Sequence, residues 1–401
     1  MIDRFFDQIL PSGVLAFGEG ISRSEIDVFI DAWKESIDDF SFVLILAGSR
    51  TAEVKGISAA GATNESRRYT AVADAELLLN GPSFKRIWPL PPLPAGVSPA
   101  LIGYVASRFL RATPMIIASG LLQTPPFPHL VFDSPLQGPS NCLSTGKAMD
   151  IKRVRCLWRK GLEMGMNLKK PLLLTECVPS GTTSAFAVLR GLGLDVANFV
   201  SGSVRNPPVE LKKRLVGDGL SKLIKQGQFS IENLLAAVGD PFQPVALGLL
   251  LGARVAGQPV LLGGGSQMLA VLAMALEEIS IDKRSEFMKE VAIGTTSWLV
   301  NESLDKEHLK KSFVHLMKIV SNHFNVKIMG LASGLSFVDT TYEGLRAYEN
   351  GFIKEGVGAG ALSLLAQLKG VSKEDLQKSC EKAILNLNTH MLNEGVQIAG
   401  K

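Results

Sequence analysis

Leu172-Leu173-Leu174-Thr175-Glu176-Cys177-Val178-Pro179-Ser180-Gly181-Thr182-Thr183, continuing as Ser184-Ala185-Phe186-Ala187-Val188-Leu189, decides how this chain is read. The short apolar run behind Pro171 predicts a buried parallel strand. Ser180, Gly181, Thr182 and Thr183 predict a tight loop of small hydroxyl side chains, and the apolar residues beyond them predict a helix. A helix N-terminus presents unpaired N–H donors and a partial positive charge, so it attracts a phosphate. Glu176 stands at the carboxyl end of the strand, where open α/β sheets place their ligands. An ordinary strand-to-helix connection capped by Ser or Thr fits the same residues.

Outward from this stretch the same order recurs. Phe40–Ala47, Pro114–Ala118, His129–Phe132, Pro259–Leu262, Val291–Ile293 and Val326–Met329 read as strands. Between them, Ser98–Leu110, Lys147–Leu168 and the basic segment Lys212–Lys225 read as helices. Residues up to about Lys34 also read as helical, with Ser22 or Ser24 as a cap. Asp240-Pro241 marks a helix start, with Asp240 as N-cap and Pro241 at the first position, and this helix ends near Gly257. The alternation predicts an α/β, three-layer, Rossmann-like fold, a parallel sheet with helices on both faces. A smaller, mostly helical subdomain is expected from the chain ends.

Composition narrows the function classes. With 401 residues, 46% of them hydrophobic and 20% charged, the chain has a sizeable core and does not read as disordered. The net charge of +4 is mild, and the basic run Lys152, Arg153, Arg155, Arg159 and Lys160 has no interleaved aromatics, so it reads as a solvated helix face and not a nucleic-acid site. Cys142, Cys156, Cys177 and Cys380 show no CxxC spacing, which predicts reduced thiols in a cytoplasmic protein. The five histidines form no HExxH, so no metal site is expected. Asp3, Arg4 and Asp7 do not fit a secretory signal. The apolar zone Val245–Leu276 is broken by Arg254, Gln258 and Gln267, so no membrane span is expected.

Three glycine-bearing loops can carry chemistry: Glu176–Thr183, Gly263-Gly264-Gly265-Ser266-Gln267, and Lys354-Glu355-Gly356-Val357-Gly358-Ala359-Gly360. Glu355 beside such a loop can act as a general base, or it is a surface acid at a helix start, where acids are favoured anyway. The GxGxG here lacks a preceding strand and a following acid, so it is not a dinucleotide fingerprint. No GxxxxGK[ST] and no GxSxG occurs. Gly181-Thr182-Thr183-Ser184 recurs as Gly294-Thr295-Thr296-Ser297, which is weak support for a duplication. The Glu176–Thr183 stretch has a passing likeness to the diphosphate loop of type I phosphoribosyltransferases, but the usual second acid is missing.

These motifs together resemble nicotinate-nucleotide–dimethylbenzimidazole phosphoribosyltransferases, the family that makes the lower-ligand nucleotide of cobamides. Glu176 with Ser180-Gly181-Thr182-Thr183 resembles the family's phosphate loop. Gly96-Val97-Ser98 resembles a segment near its base pocket, and Ser144-Thr145-Gly146-Lys147-Ala148-Met149 its T-x-x-PAM segment. Lys354 to Ala359 resembles its GEG-x-GAA loop. Gly56–Gly61, Val238–Pro244 and Gly263–Met268 extend the likeness to a longer, divergent branch over nearly the whole chain. The resemblance divides the chain into an N-terminal extension (1–80) packing on the core, an α/β core (81–370) and a C-terminal helical segment (371–401).

The resemblance implies phosphoribosyl transfer from nicotinate mononucleotide to an aromatic base, without a cofactor, in a homodimer. It makes Glu355 the catalytic base. It gives phosphate or nucleotide contacts to Glu176, Ser180, Gly181, Thr182, Thr183, Lys212, Gly264, Gly265 and Ser266, and the base pocket to Ser98. Lys213 and Arg214 leave the register of the phosphate-binding lysine open. Two residues depart from family glycines: Ser180 in the phosphate loop and Lys354 in GEG. Ile102, Gly103 and Tyr104 stand where polar base-pocket residues are expected. These departures keep a second reading in play, a nucleotide-binding sensor that has lost the chemistry. A third reading, a diphosphate-dependent transferase, would require magnesium.

Overall fold

The computed structural model describes residues 10–58, 60, 61, 63–134, 136–224, 229–302 and 312–393. The parts of the expected elements at residues 1–9, Lys225 and 394–401 lie outside these. Eight strands form one sheet: β1 (Leu15–Phe17), β2 (Ser41–Ala47), β3 (Met115–Ser119), β4 (Leu130–Val131), β5 (Leu172–Cys177), β6 (Val260–Gly263), β7 (Val291–Thr296) and β8 (Met329–Ser333). Their spatial order is β1-β8-β7-β6-β5-β2-β3-β4. Every neighbouring pair is parallel except β1 with β8.

Alternation along the strands builds two cores. Val43, Ile45, Leu172, Leu174, Val260, Leu262 and Ile293 face one layer of helices. Phe42, Leu44, Leu46, Leu173, Leu261, Ala292 and Leu331 face the other. A sheet buried on both faces reads as the continuous apolar runs the sequence carries. Helices from the two chain ends, Arg23–Glu35 and Lys373–Asn393, both join the second core.

Four expectations are corrected. The segment 1–80 is not an extension laid on a core, because β2 lies inside the sheet between β5 and β3. The chain before Lys34 is not all helix: β1 precedes Arg23–Glu35, a three-residue strand too short to show alternation. The last strand sits at Met329–Ser333 and not at Val326–Met329, because small residues dominate it. The helix after Asp240 begins at Phe242, with the Asp240 carboxylate accepting the Phe242 and Gln243 N–H groups at 3.1 and 3.3 Å.

From β2 the chain steps outward through β3 and β4, then returns to place β5 on the other side of β2 and steps away through β6, β7 and β8. The β2/β5 boundary is therefore the point where the winding direction reverses. In open α/β sheets the crevice beyond the strand ends at that point is where ligands bind.

Candidate active site

A cavity of about 1100 Å³ opens at this point. β5 supplies Glu176, the turn and helix start after it supply Ser180, Gly181 and Thr182, and the connection after β2 supplies Gly56 to Ser58. Other walls come from the helix Asn64–Asn80, the proline-rich segment Pro89–Pro94, Ser98, Lys212, Glu355 and the C-terminal helix.

Ser180 begins the helix Gly181–Gly191 in the left-handed conformation, φ 68°. That region costs non-glycine residues about 1 kcal/mol or more, and such strain clusters at functional sites. Ser180 Oγ is buried with no partner among the described residues. Lys212 Nζ donates to Thr182 Oγ1 at 3.0 Å and to the Ser201 carbonyl at 2.8 Å. The side chain is 3% exposed, and no carboxylate pairs with it among the described residues. Burial, helped by the nearby Lys354 charge and opposed by Glu302, lowers the Lys212 ammonium to about 7. A buried ammonium without a counter-ion is costly, and an anion at the helix N-terminus would supply one. Lys213 instead faces solvent and pairs with Glu210.

Glu355 is held by a different helix start. Its Oε1 accepts the N–H groups of Gly356 at 3.0 Å and Gly360 at 3.2 Å, and its Oε2 accepts the Thr295 hydroxyl at 3.0 Å. The helix Ala359–Leu368 comes this close because a Cβ on Gly360 would sit 2.0 Å from the Thr295 carbonyl carbon, and one on Gly358 would sit 2.4 Å from Thr175 Cγ2. The glycine pattern is thus a packing requirement. The preceding backbone is strained, with Ile353 at φ 66°, Lys354 at 69° and Val357 at 54°. Lys354 points away from Glu355 and forms a 2.7 Å ion pair with Glu302, both side chains buried.

Burial pushes the Glu355 carboxyl up to about 7, although the Gly356 and Gly360 N–H groups and the Thr295 hydroxyl pull it down. Burial, the Asp240 charge and then Glu355 push Glu176 up to about 8, against the Val178 N–H. Asp240 is itself fully buried, and its other oxygen accepts from Gln267 Nε2 at 2.9 Å. Strongly perturbed carboxyls in a cleft mark a functional site.

Of the residues singled out in the sequence, Glu176, Ser180, Gly181, Thr182, Lys212, Glu355 and Ser98 meet on this one cavity. Thr183, Gly264, Gly265 and Ser266 do not line it. Thr183 is fully buried, and Gly265 packs against Leu299. Sequence reasoning missed Thr295, Asp240 as a neighbour of Glu176, and Asp74. The repeated Gly294-Thr295-Thr296-Ser297 was a signal for the first: Thr295 and Thr296 grip the Glu355 loop, the latter through the Lys354 carbonyl at 2.6 Å. For Asp74 the signal was a pair of acids, Asp74 and Glu76, inside the otherwise apolar run Ala71–Leu79.

The fold defines the class first. A solved structure of nicotinate-nucleotide-dimethylbenzimidazole phosphoribosyltransferase from Thermus thermophilus superposes with TM-score 0.52, covering 90% of this chain and 86% of that one at 16% identity. A structure of CobT from the same organism gives TM-score 0.53, covering 94% and 99% at 15% identity. At such identities the likeness is one of fold. The chain belongs to the UPF0284 family: it is 52% identical over 378 residues to the UPF0284 protein of Prochlorococcus marinus MIT 9313, covering 94% of each. It is 50% identical to that of Parasynechococcus marenigrum WH8102, again covering 94% of each, and 36% identical to that of Gloeothece citriformis PCC 7424, covering 86% and 90%. No protein-family model matches the chain. No helix among the described residues is long and apolar enough to cross a membrane.

Proposed function

We propose that this protein is a phosphoribosyltransferase that moves the ribose 5-phosphate of nicotinate mononucleotide to the ring nitrogen of an aromatic base, giving an α-ribosyl-base 5′-phosphate and nicotinate, as in the making of a cobamide lower ligand. On the same reading it acts in the cytoplasm as a homodimer. The observation that carries the proposal is that Glu355, Ser180 to Thr182 and Lys212 line one cavity at the reversal point of the sheet.

The 5′-phosphate would lie at the start of the helix Gly181–Gly191, beside Lys212. Glu176, holding its proton near neutrality, would hydrogen-bond ribose hydroxyls. As the base nitrogen bonds to C1′, the C1′–nicotinate bond breaks and its electron pair neutralises the cationic ring nitrogen. The proton lost by the incoming nitrogen passes to Glu355. Attack from the face opposite the leaving group inverts C1′. The carboxylate also stabilises positive charge developing on the sugar, and holding both partners in line supplies much of the rate.

The test is incubation with nicotinate mononucleotide and a panel of bases, with chromatography for nicotinate. Base-dependent release supports transfer, and tight nucleotide binding without release supports the sensor reading. Lys354 and the altered base pocket were the features favouring a sensor; of these, the Lys354 ammonium is paired with Glu302 and not with Glu355.

A further inference from the structure

Ser98 was expected to touch the base, and its one donor hydrogen is already committed within the protein. Its hydroxyl donates to Asp74 Oδ1 at 2.6 Å and accepts the Ala100 N–H at 3.1 Å. What remains to meet a ligand is Asp74, from the helix Asn64–Asn80, which lines the same cavity as Glu176 and Glu355. Asp74 is 6% exposed, and among the described residues its Oδ2 has only the Cys177 thiol, at 3.6 Å. No cation pairs with it among the described residues. An ionised carboxylate offers about four acceptor positions, so this group is under-satisfied where burial makes that costly. The same cavity is lined by Tyr69, which stacks on Trp88, and by Pro91–Pro92, apolar surfaces suited to a planar ring.

We propose that Asp74 selects the acceptor, taking on Oδ2 an N–H of the exocyclic amino group of a heteroaromatic base. The inference rests on the transfer reading, and it names the substrate class of that site. Ser98 is then a positioning residue that turns Oδ1 away from the ligand. Burial pushes the Asp74 carboxyl up to about 6, with Ser98 and Cys177 opposing, so near neutrality the acceptor form predominates.

The test compares adenine with purine, the same rings without the amino group, as acceptors for nicotinate mononucleotide. The wild-type protein should favour adenine in kcat/KM by at least about tenfold, in the range for a hydrogen bond to a charged group. N6,N6-dimethyladenine, which has no amino hydrogens, should lose that advantage. Asp74→Asn keeps a carbonyl oxygen for Ser98 but turns an N–H2 toward the ligand, so the adenine-to-purine ratio should fall by about 10- to 100-fold. A wild-type ratio near one overturns the proposal, even if the variant does not fold. Equal losses for both bases in Asp74→Asn also overturn it, because they mark a purely structural carboxylate. If no base releases nicotinate, the transfer reading fails. Calorimetric binding of adenine and purine then decides the role of Asp74, with an adenine preference supporting it and its absence refuting it.

Discussion

The helices Gly181–Gly191 and Ala359–Leu368 start in closely related ways and serve the cavity differently. Each follows a loop at the carboxyl edge of the sheet, and each loop carries a non-glycine residue in the left-handed region, Ser180 at φ 68° and Lys354 at 69°. At the second helix, the chain fills the N-terminus with its own Glu355, through the Gly356 and Gly360 N–H groups. At the first helix no side-chain acid caps the start: Ser180 Oγ has no partner among the described residues, and a lysine is buried alongside. One helix start is capped by a fixed carboxylate, and at the other no side-chain cap hydrogen bond is made among the described residues. A nucleotide spanning the two would bring its phosphate to one end and its anomeric carbon to the other.

The sharpest way to break this comparison is to give both strained positions the glycine that suits them. Lys354→Gly relieves about 1–2 kcal/mol of strain but strands Glu302, and breaking a buried pair costs about 3–5 kcal/mol. Urea unfolding should show a net loss of about 1–4 kcal/mol, and a gain would mean the ion pair contributes little. Lys212→Met tests the open helix start. Nicotinate mononucleotide should bind about 10- to 100-fold more weakly, the loss of a charge-assisted contact, with the melting temperature unchanged or raised. Unweakened binding would place the phosphate elsewhere.

The pH profile sharpens the contrast between the two ends. Glu355 becomes a base as pH rises through about 7, while Lys212 in the free protein loses its charge over the same range. The profile of kcat/KM should therefore be a narrow bell centred near neutrality. In kcat the falling limb should move to higher pH, because a bound phosphate holds the proton on Lys212. A kcat/KM that keeps rising above pH 9 would remove Lys212 from binding. The smallest effect is Ser180→Gly: it removes about 1 kcal/mol of backbone strain and no ion pair, so unfolding should show slight stabilisation. A loss above about 1 kcal/mol would give the Ser180 hydroxyl a structural task.

Much of this arrangement was legible in the sequence where apolar runs were long. Ser41–Ala47 and Leu172–Cys177 are buried on both faces, and their composition declares it. The strands β1 and β8 were harder, one because it has three residues and the other because Gly330, Ala332 and Ser333 weaken the apolar signal. Within the site, Glu176, Glu355 and Lys212 could be found because loops and motifs flag them. The Gly264–Ser266 loop does not line this cavity, and in sequence a glycine required by close packing, such as Gly263 against Ala361 Cβ at 2.9 Å, looks the same as one that cradles a phosphate. Asp74 was missed because its meaning depends on Ser98, 24 residues away, and Cys177, 103 residues away.

The central claim is that Glu355 accepts a proton from a base attacking a nucleotide anchored at Thr182 and Lys212. It is tested most directly by single-turnover nicotinate release from saturating nicotinate mononucleotide and base, in wild type and in Glu355→Gln, with nucleotide affinity measured on both. The expected result is a fall in rate of about 10²-fold or more with affinity kept within a few-fold. Equal rates in the two proteins would contradict the account.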